Sequence, residues 1–178
     1  MLRTGLGQIQ SMDLILLLLF NLIFFWRIWS DPFQIARSEL LSTFFPSWLY
    51  IGRQARKKRF WKTEPFYWLN FHAHPVLSSY YPPHVLTAFI GAFLNLDSAF
   101  RLLTWTILAH FIWMSIGWYW FLSLRFSPEV SLFGAVTFTY QAYHIKQQPC
   151  IIYTLAWFPF MLLGLSTKAI LLSSISIG

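Results

Sequence analysis

Charge is what this sequence has least of. Asp, Glu, Lys and Arg make up only 11% of its 178 residues, whereas a soluble domain carries about 25%. The chain therefore lacks the polar surface to wrap a water-facing core. Cysteine is scarcer still: Cys150 stands alone, which excludes an internal disulfide and a cysteine metal cage and leaves the redox compartment open. No internal repeat is present, and no stretch reads as a separate soluble domain. What the chain does have is apolar and aromatic, 57% hydrophobic with ten Trp and nineteen Phe, and amphipathic rings are enriched at lipid boundaries. The net charge of +7 would suit nucleic acid in a water-soluble protein. Here seven of the thirteen basic residues fall between Arg37 and Lys62, in one polar insert, so membrane lipid is the expected acidic partner and nucleic acid is not.

The apolar runs predict an all-α membrane protein with about four transmembrane helices and one large loop. The first run, residues 12–29, has Trp26 and Trp29 placed like an interfacial belt and Arg27 able to snorkel outward. Arg3 ahead of an apolar core raises a signal peptide as rival, but no small-x-small cleavage site follows, which favours a retained anchor. Residues 30–83 form the loop. Within it Ile35, Leu40, Leu41, Phe44, Phe45, Trp48 and Leu49 recur at roughly helical intervals, interrupted by Arg37, Glu39 and Pro46. This suggests a short amphipathic element lying on a membrane. Residues 85–96 are too few to span and read as interfacial or re-entrant. Further spans are expected at 98–124, 130–144 and 150–167. Asp97 and Arg101 stand at i, i+4 and can pair. Ser127, Pro128 and Glu129 read as a helix start with Ser127 as N-cap.

Asp31 follows the first span at the membrane surface, although "SDP" is also an ordinary turn. Glu39 and Glu64 are the loop's other carboxylates. Two carboxylates of one loop, Asp31 and Glu39 first among them, can bind a divalent cation such as Mg or Mn through oxygen. Their eight-residue separation does nothing to bring them together. His72 and His74 would share one strand face, and His84 follows, but no Cys, Asp or Glu lies among them and Pro75, Pro82 and Pro83 favour a rigid turn. His110, mid-span, shares a helix face with Thr106, Trp113 and Gly117, and that face is expected to pack on another helix. The cluster Arg53, Arg56, Lys57, Lys58, Arg59 and Lys62 is either a topogenic signal or a phosphate-binding patch.

The order of these features resembles the N-terminal part of the YfhO-type bacterial membrane proteins of the GT-C glycosyltransferase superfamily. The resemblance rests on Asp31, "FFPSW" at 44–48, "HPVLSSYYPPHVL" at 74–86, "AHFIWMSIGWYW" at 109–120 and "LAWFPFMLLG" at 155–164. It implies an enzyme of the bacterial cytoplasmic (inner) membrane that moves a sugar from a polyprenyl-phosphate donor to an extracytoplasmic acceptor. Asp31 would be the catalytic base or a cation ligand, and Arg53, Arg56, Lys57, Arg59 and Lys62 would hold the donor phosphate. Members of that family have more spans than these four, so the resemblance further implies an N-terminal fragment, with the rest of a split protein as partner. Two observations pull apart. The family topology puts the loop outside, whereas the positive-inside rule would hold so basic a loop in the cytoplasm. The competing reading is a small non-enzymatic membrane protein whose basic loop binds anionic lipid or a partner subunit. A transporter subunit is third, with only His110 as a polar group at mid-membrane depth.

Overall fold

A computed structural model describes residues 11–35, 40–57, 65–66, 69–70, 81–144 and 149–175. The described residues form seven α-helices: α1 (Ser11–Phe24), α2 (Trp26–Ser30), α3 (Phe45–Arg56), α4 (Pro82–Gly91), α5 (Leu96–Ser123), α6 (Pro128–His144) and α7 (Pro149–Ile175). A 3-10 turn at Pro32–Ile35, a π turn at Leu40–Phe44 and a two-residue antiparallel pair, β1 (Pro65–Phe66) with β2 (Leu69–Asn70), complete them. The chain divides into two compact units, Met1–Phe24 with His110–Gln147 and Ile152–Gly178, and Phe25–Ala109 with Gln148–Ile151.

In the second unit α3 and α4 pack in close contact because small residues let them. A Cβ on Gly52 would lie 1.9 Å from the Ala88 carbonyl oxygen, and one on Gly91 would lie 2.3 Å from the Trp48 indole. Trp48 is fully buried there, together with Leu40, Phe44, Leu49, Ile51 and Ala88. Pro82 and Pro83 open α4 behind an extended Tyr81, where proline's fixed φ suits the first turn and its missing N–H costs nothing. Phe100 of α5 stacks on Phe33 at 5.0 Å and meets Phe45 edge-on at 5.1 Å. Arg101 places its guanidinium over Phe33 at 5.4 Å, an aromatic partner in place of the i, i+4 pair expected with Asp97.

In the first unit Leu17, Tyr119 and Ala135 are buried together, with Trp118, Leu132 and Val136 against them. The α5 face singled out in the sequence packs on α7. His110 meets Tyr153 at 4.4 Å, Trp113 stacks on Phe160 at 4.5 Å, and a Cβ on Gly117 would sit 2.6 Å from the Phe160 ring. Helix α6 begins at Pro128, as Ser127-Pro128-Glu129 indicates, with the Ser131 N–H donating to the Ser127 carbonyl. The hydrogen bond from Ser127 holds the Glu129 carboxyl below its ordinary range.

This architecture corrects the four-span expectation. Among the described residues one helix, Leu96–Ser123, is long and apolar enough to cross a membrane, and 56% of its most apolar window is buried inside the protein. Met12–Phe24 and Ile151–Thr167 are shorter apolar stretches within α1 and α7. The run expected as the first span breaks at Phe25, where φ −99° and ψ 14° leave the helical region. The 130–144 segment lies in a 17-residue helix that buries Ser131 and Thr139. The loop element expected to lie on lipid buries its apolar face against protein instead. With the spans go the integral-membrane architecture and the inner-membrane placement that rested on them. Hydropathy counts apolar side chains without registering what covers them, and here much of the covering comes from other helices.

Candidate functional site

Asp31, the acid expected at a catalytic centre, caps a turn. Asp31 is exposed and ends α2. One carboxylate oxygen accepts from the Phe33 N–H at 3.2 Å, the other accepts from the Gln34 side-chain amide at 3.0 Å, and the Asp31 carbonyl takes the Gln34 N–H. This is a cap on the Pro32–Ile35 turn, the ordinary role of Asp before a helical turn. Glu39, Glu64, His72 and His74 lie outside the described residues, as do Lys58, Arg59 and Lys62 of the basic cluster. Arg53, Arg56 and Lys57 are exposed at the end of α3, where cations complement the helix dipole. The Arg56 guanidinium sits 4.7 Å above the Phe93 ring. His84 is buried edge-on to Phe44 at 5.2 Å, a packing histidine. Among the described residues no group of three or more His, Cys, Asp or Glu side chains is placed to hold a metal ion.

The groups that do come together were not singled out by sequence reasoning. Asp13 and Asn21 belong to the run read as a uniform span, yet both are buried, along with Leu17 between them. Their i, i+4, i+8 spacing puts all three on one face of α1. The Tyr119 phenol donates to Asp13 Oδ2. Burial first, and the Asp13 hydrogen bond second, push the Tyr119 hydroxyl well above its ordinary range. The Asn21 amide donates to the Leu17 carbonyl at 2.8 Å and to Ser115 Oγ at 3.2 Å. Ser115 in turn donates to the Ile112 carbonyl at 2.8 Å. Two polar residues of α1 are thus clasped by two of α5. A polar pair in an otherwise apolar run, eight residues apart, was the available signal.

Turning Asp13 and Asn21 inward turns the apolar residues of α1 outward. Met12, Ile15, Leu18, Leu19, Phe20, Leu22, Ile23 and Phe24 are all exposed, by 42% to 68%. The arrangement is the reverse of an ordinary amphipathic surface helix, whose apolar stripe faces the core. Polar groups that must be paired when buried fix the rotation of the helix, since an unsatisfied one costs about 1–3 kcal/mol. The clasp therefore presents a greasy outer face and carries no reacting group at the surface.

Comparison with known proteins adds no relative: no family model, curated protein or solved structure matches the chain. The expected sugar transfer from a polyprenyl-phosphate donor is accordingly withdrawn, as is the lipid-binding membrane protein set beside it. Among the described residues one helix, and not four, is long and apolar enough to span a membrane, and the Asp31 carboxylate caps a turn.

Proposed function

We propose that the protein is a helical assembly subunit, with α1 as the docking element that a protein partner covers. The observation that carries this reading is the inversion of α1, polar side chains clasped within and seven large apolar side chains between Met12 and Ile23 without, while Phe24 stacks on Tyr140. A helix apolar on nearly all sides is stable in water only when covered, and contiguous apolar patches of this kind mark interaction surfaces. The polar clasp serves the same end by locking the helix in one rotation before the partner arrives.

The test is thiol accessibility in the full chain with Cys150 replaced by Ser and Ile15 by Cys. In extract from expressing cells, a membrane-impermeant maleimide should label Ile15→Cys at least tenfold more slowly than the urea-unfolded chain. Dilute purified chain should label fast, and adding phospholipid vesicles should not slow it. Labelling in extract at the unfolded rate overturns the proposal. So does protection conferred on the dilute chain by vesicles alone, because the cover would then be lipid.

A further inference from the structure

We infer that α6 closes the polar clasp through a buried water held between Asn21 of α1 and Thr139 of α6; the inference does not depend on what covers the outer face of α1. Helix α6 repeats the pattern of the inner stripe of α1. Ser131, Ala135 and Thr139 stand at i, i+4 and i+8 and are fully buried, as Asp13, Leu17 and Asn21 are buried on α1. The two stripes are in register. Leu17 and Ala135 share one buried cluster, and further along Phe24 stacks on Tyr140 at 4.0 Å, so the helices run the same way. Asn21 lies one turn past Leu17 and Thr139 one turn past Ala135, each about 6 Å along its axis. The amide and the hydroxyl therefore sit at one level.

The bonds already made at that level show what is left over. Ser115 gives its proton to the Ile112 carbonyl, so its Oγ must accept from the Asn21 amide nitrogen. That fixes which end of the amide faces α5 and turns Asn21 Oδ1 away from it. Asn21 Oδ1 and Thr139 Oγ1 are buried and have no hydrogen-bond partner among the described residues. The first can only accept, and the second can donate and accept. Such atoms are costly when bare, and a water bonded to two or more of them is the usual remedy. Here it accepts the Thr139 proton and donates one of its own to Asn21 Oδ1. A metal cation is not held in its place, because the level carries no charge. Asp13, the one charged residue of α1, lies two turns away and takes the Tyr119 proton. Ser131 Oγ, one turn before Ala135, is unpartnered in the same way, so a hydroxyl of α6 stands opposite each arm of the clasp.

The experiment is magnetic relaxation dispersion of water oxygen on the purified full chain, read together with urea unfolding. Thr139→Val keeps nearly the same shape and deletes the hydroxyl. It should remove the dispersion of about one long-lived water per chain, and Thr139→Ser should retain it. The Val substitution should also lower the urea midpoint by about 0.5 M in the unsubstituted chain. It should not lower it where Asn21→Leu has already been made, because the water then has no second partner. Unchanged dispersion in Thr139→Val overturns the inference, whatever becomes of Asn21→Leu; coupled midpoints would then mean a direct bond between the two side chains. Equal lowering of the midpoint in both backgrounds overturns it as well, since the two residues would share nothing.

Discussion

The Tyr119 hydroxyl donates to a carboxyl oxygen of Asp13, 106 residues earlier in the chain, beside a buried cluster formed with Leu17 and Ala135. Removing only the donor strands a buried acid, whereas removing both partners does not. Tyr119→Phe should therefore cost about 2–3 kcal/mol of unfolding free energy. In the double variant with Asp13→Leu most of that loss should be recovered. Denaturant titration of the four-member cycle measures the coupling.

Helices α3 and α4 meet where a side chain on Gly52 has no room, 1.9 Å from the Ala88 carbonyl oxygen, while Gly164 faces open space. Gly52→Ala should destabilise by about 1–3 kcal/mol despite the gain in helix propensity, because backbone must move. Gly164→Ala should stabilise by about 0.5–1 kcal/mol. Opposite shifts of the urea midpoint check the pair.

Asp31 caps a turn through both carboxylate oxygens. Asp31→Ala should cost about 1 kcal/mol and Asp31→Asn only a few tenths, since the amide oxygen still accepts. A larger loss in the Asn variant than in the Ala variant would contradict the capping role. Thermal unfolding of the two variants decides it.

Burial pushes the Tyr140 hydroxyl from its ordinary 10.0 up to about 12, and Tyr119 is raised as well. A group whose value is raised on folding contributes stability that is whole below the unfolded value and is lost as pH rises through the folded one. The protein should keep its fold up to about pH 10 and lose stability progressively towards 12. Phenolate absorbance and circular dichroism, followed together, should show the buried tyrosines ionising only as helix is lost. Tyr140→Phe should shift the alkaline transition upward.

Much of the secondary structure was legible. Ser127-Pro128-Glu129 marks a helix start, and α6 begins at Pro128. The His110–Trp113–Gly117 face was expected to pack on a helix, and it packs on α7. Pro82 and Pro83, read as part of a rigid turn, instead open α4, because the same fixed φ serves a turn and the first helical residue equally well. Asp31 in "SDP" reads as an ordinary turn acid, and its hydrogen bonds from Phe33 and Gln34 cap that turn.

Residue order settles the local choices here, where helices begin and which faces they have, because capping, proline geometry and the 3.6-residue period act within a few residues of chain. It could not settle what lies against each face. The run from Met12 to Phe24 is equally apolar whether lipid, core or another chain covers it. Only the long-range pairing of Asp13 with Tyr119 and Asn21 with Ser115 chooses which side turns inward. Buried polar groups must find partners, and those partners are about a hundred residues away, where no local pattern reaches.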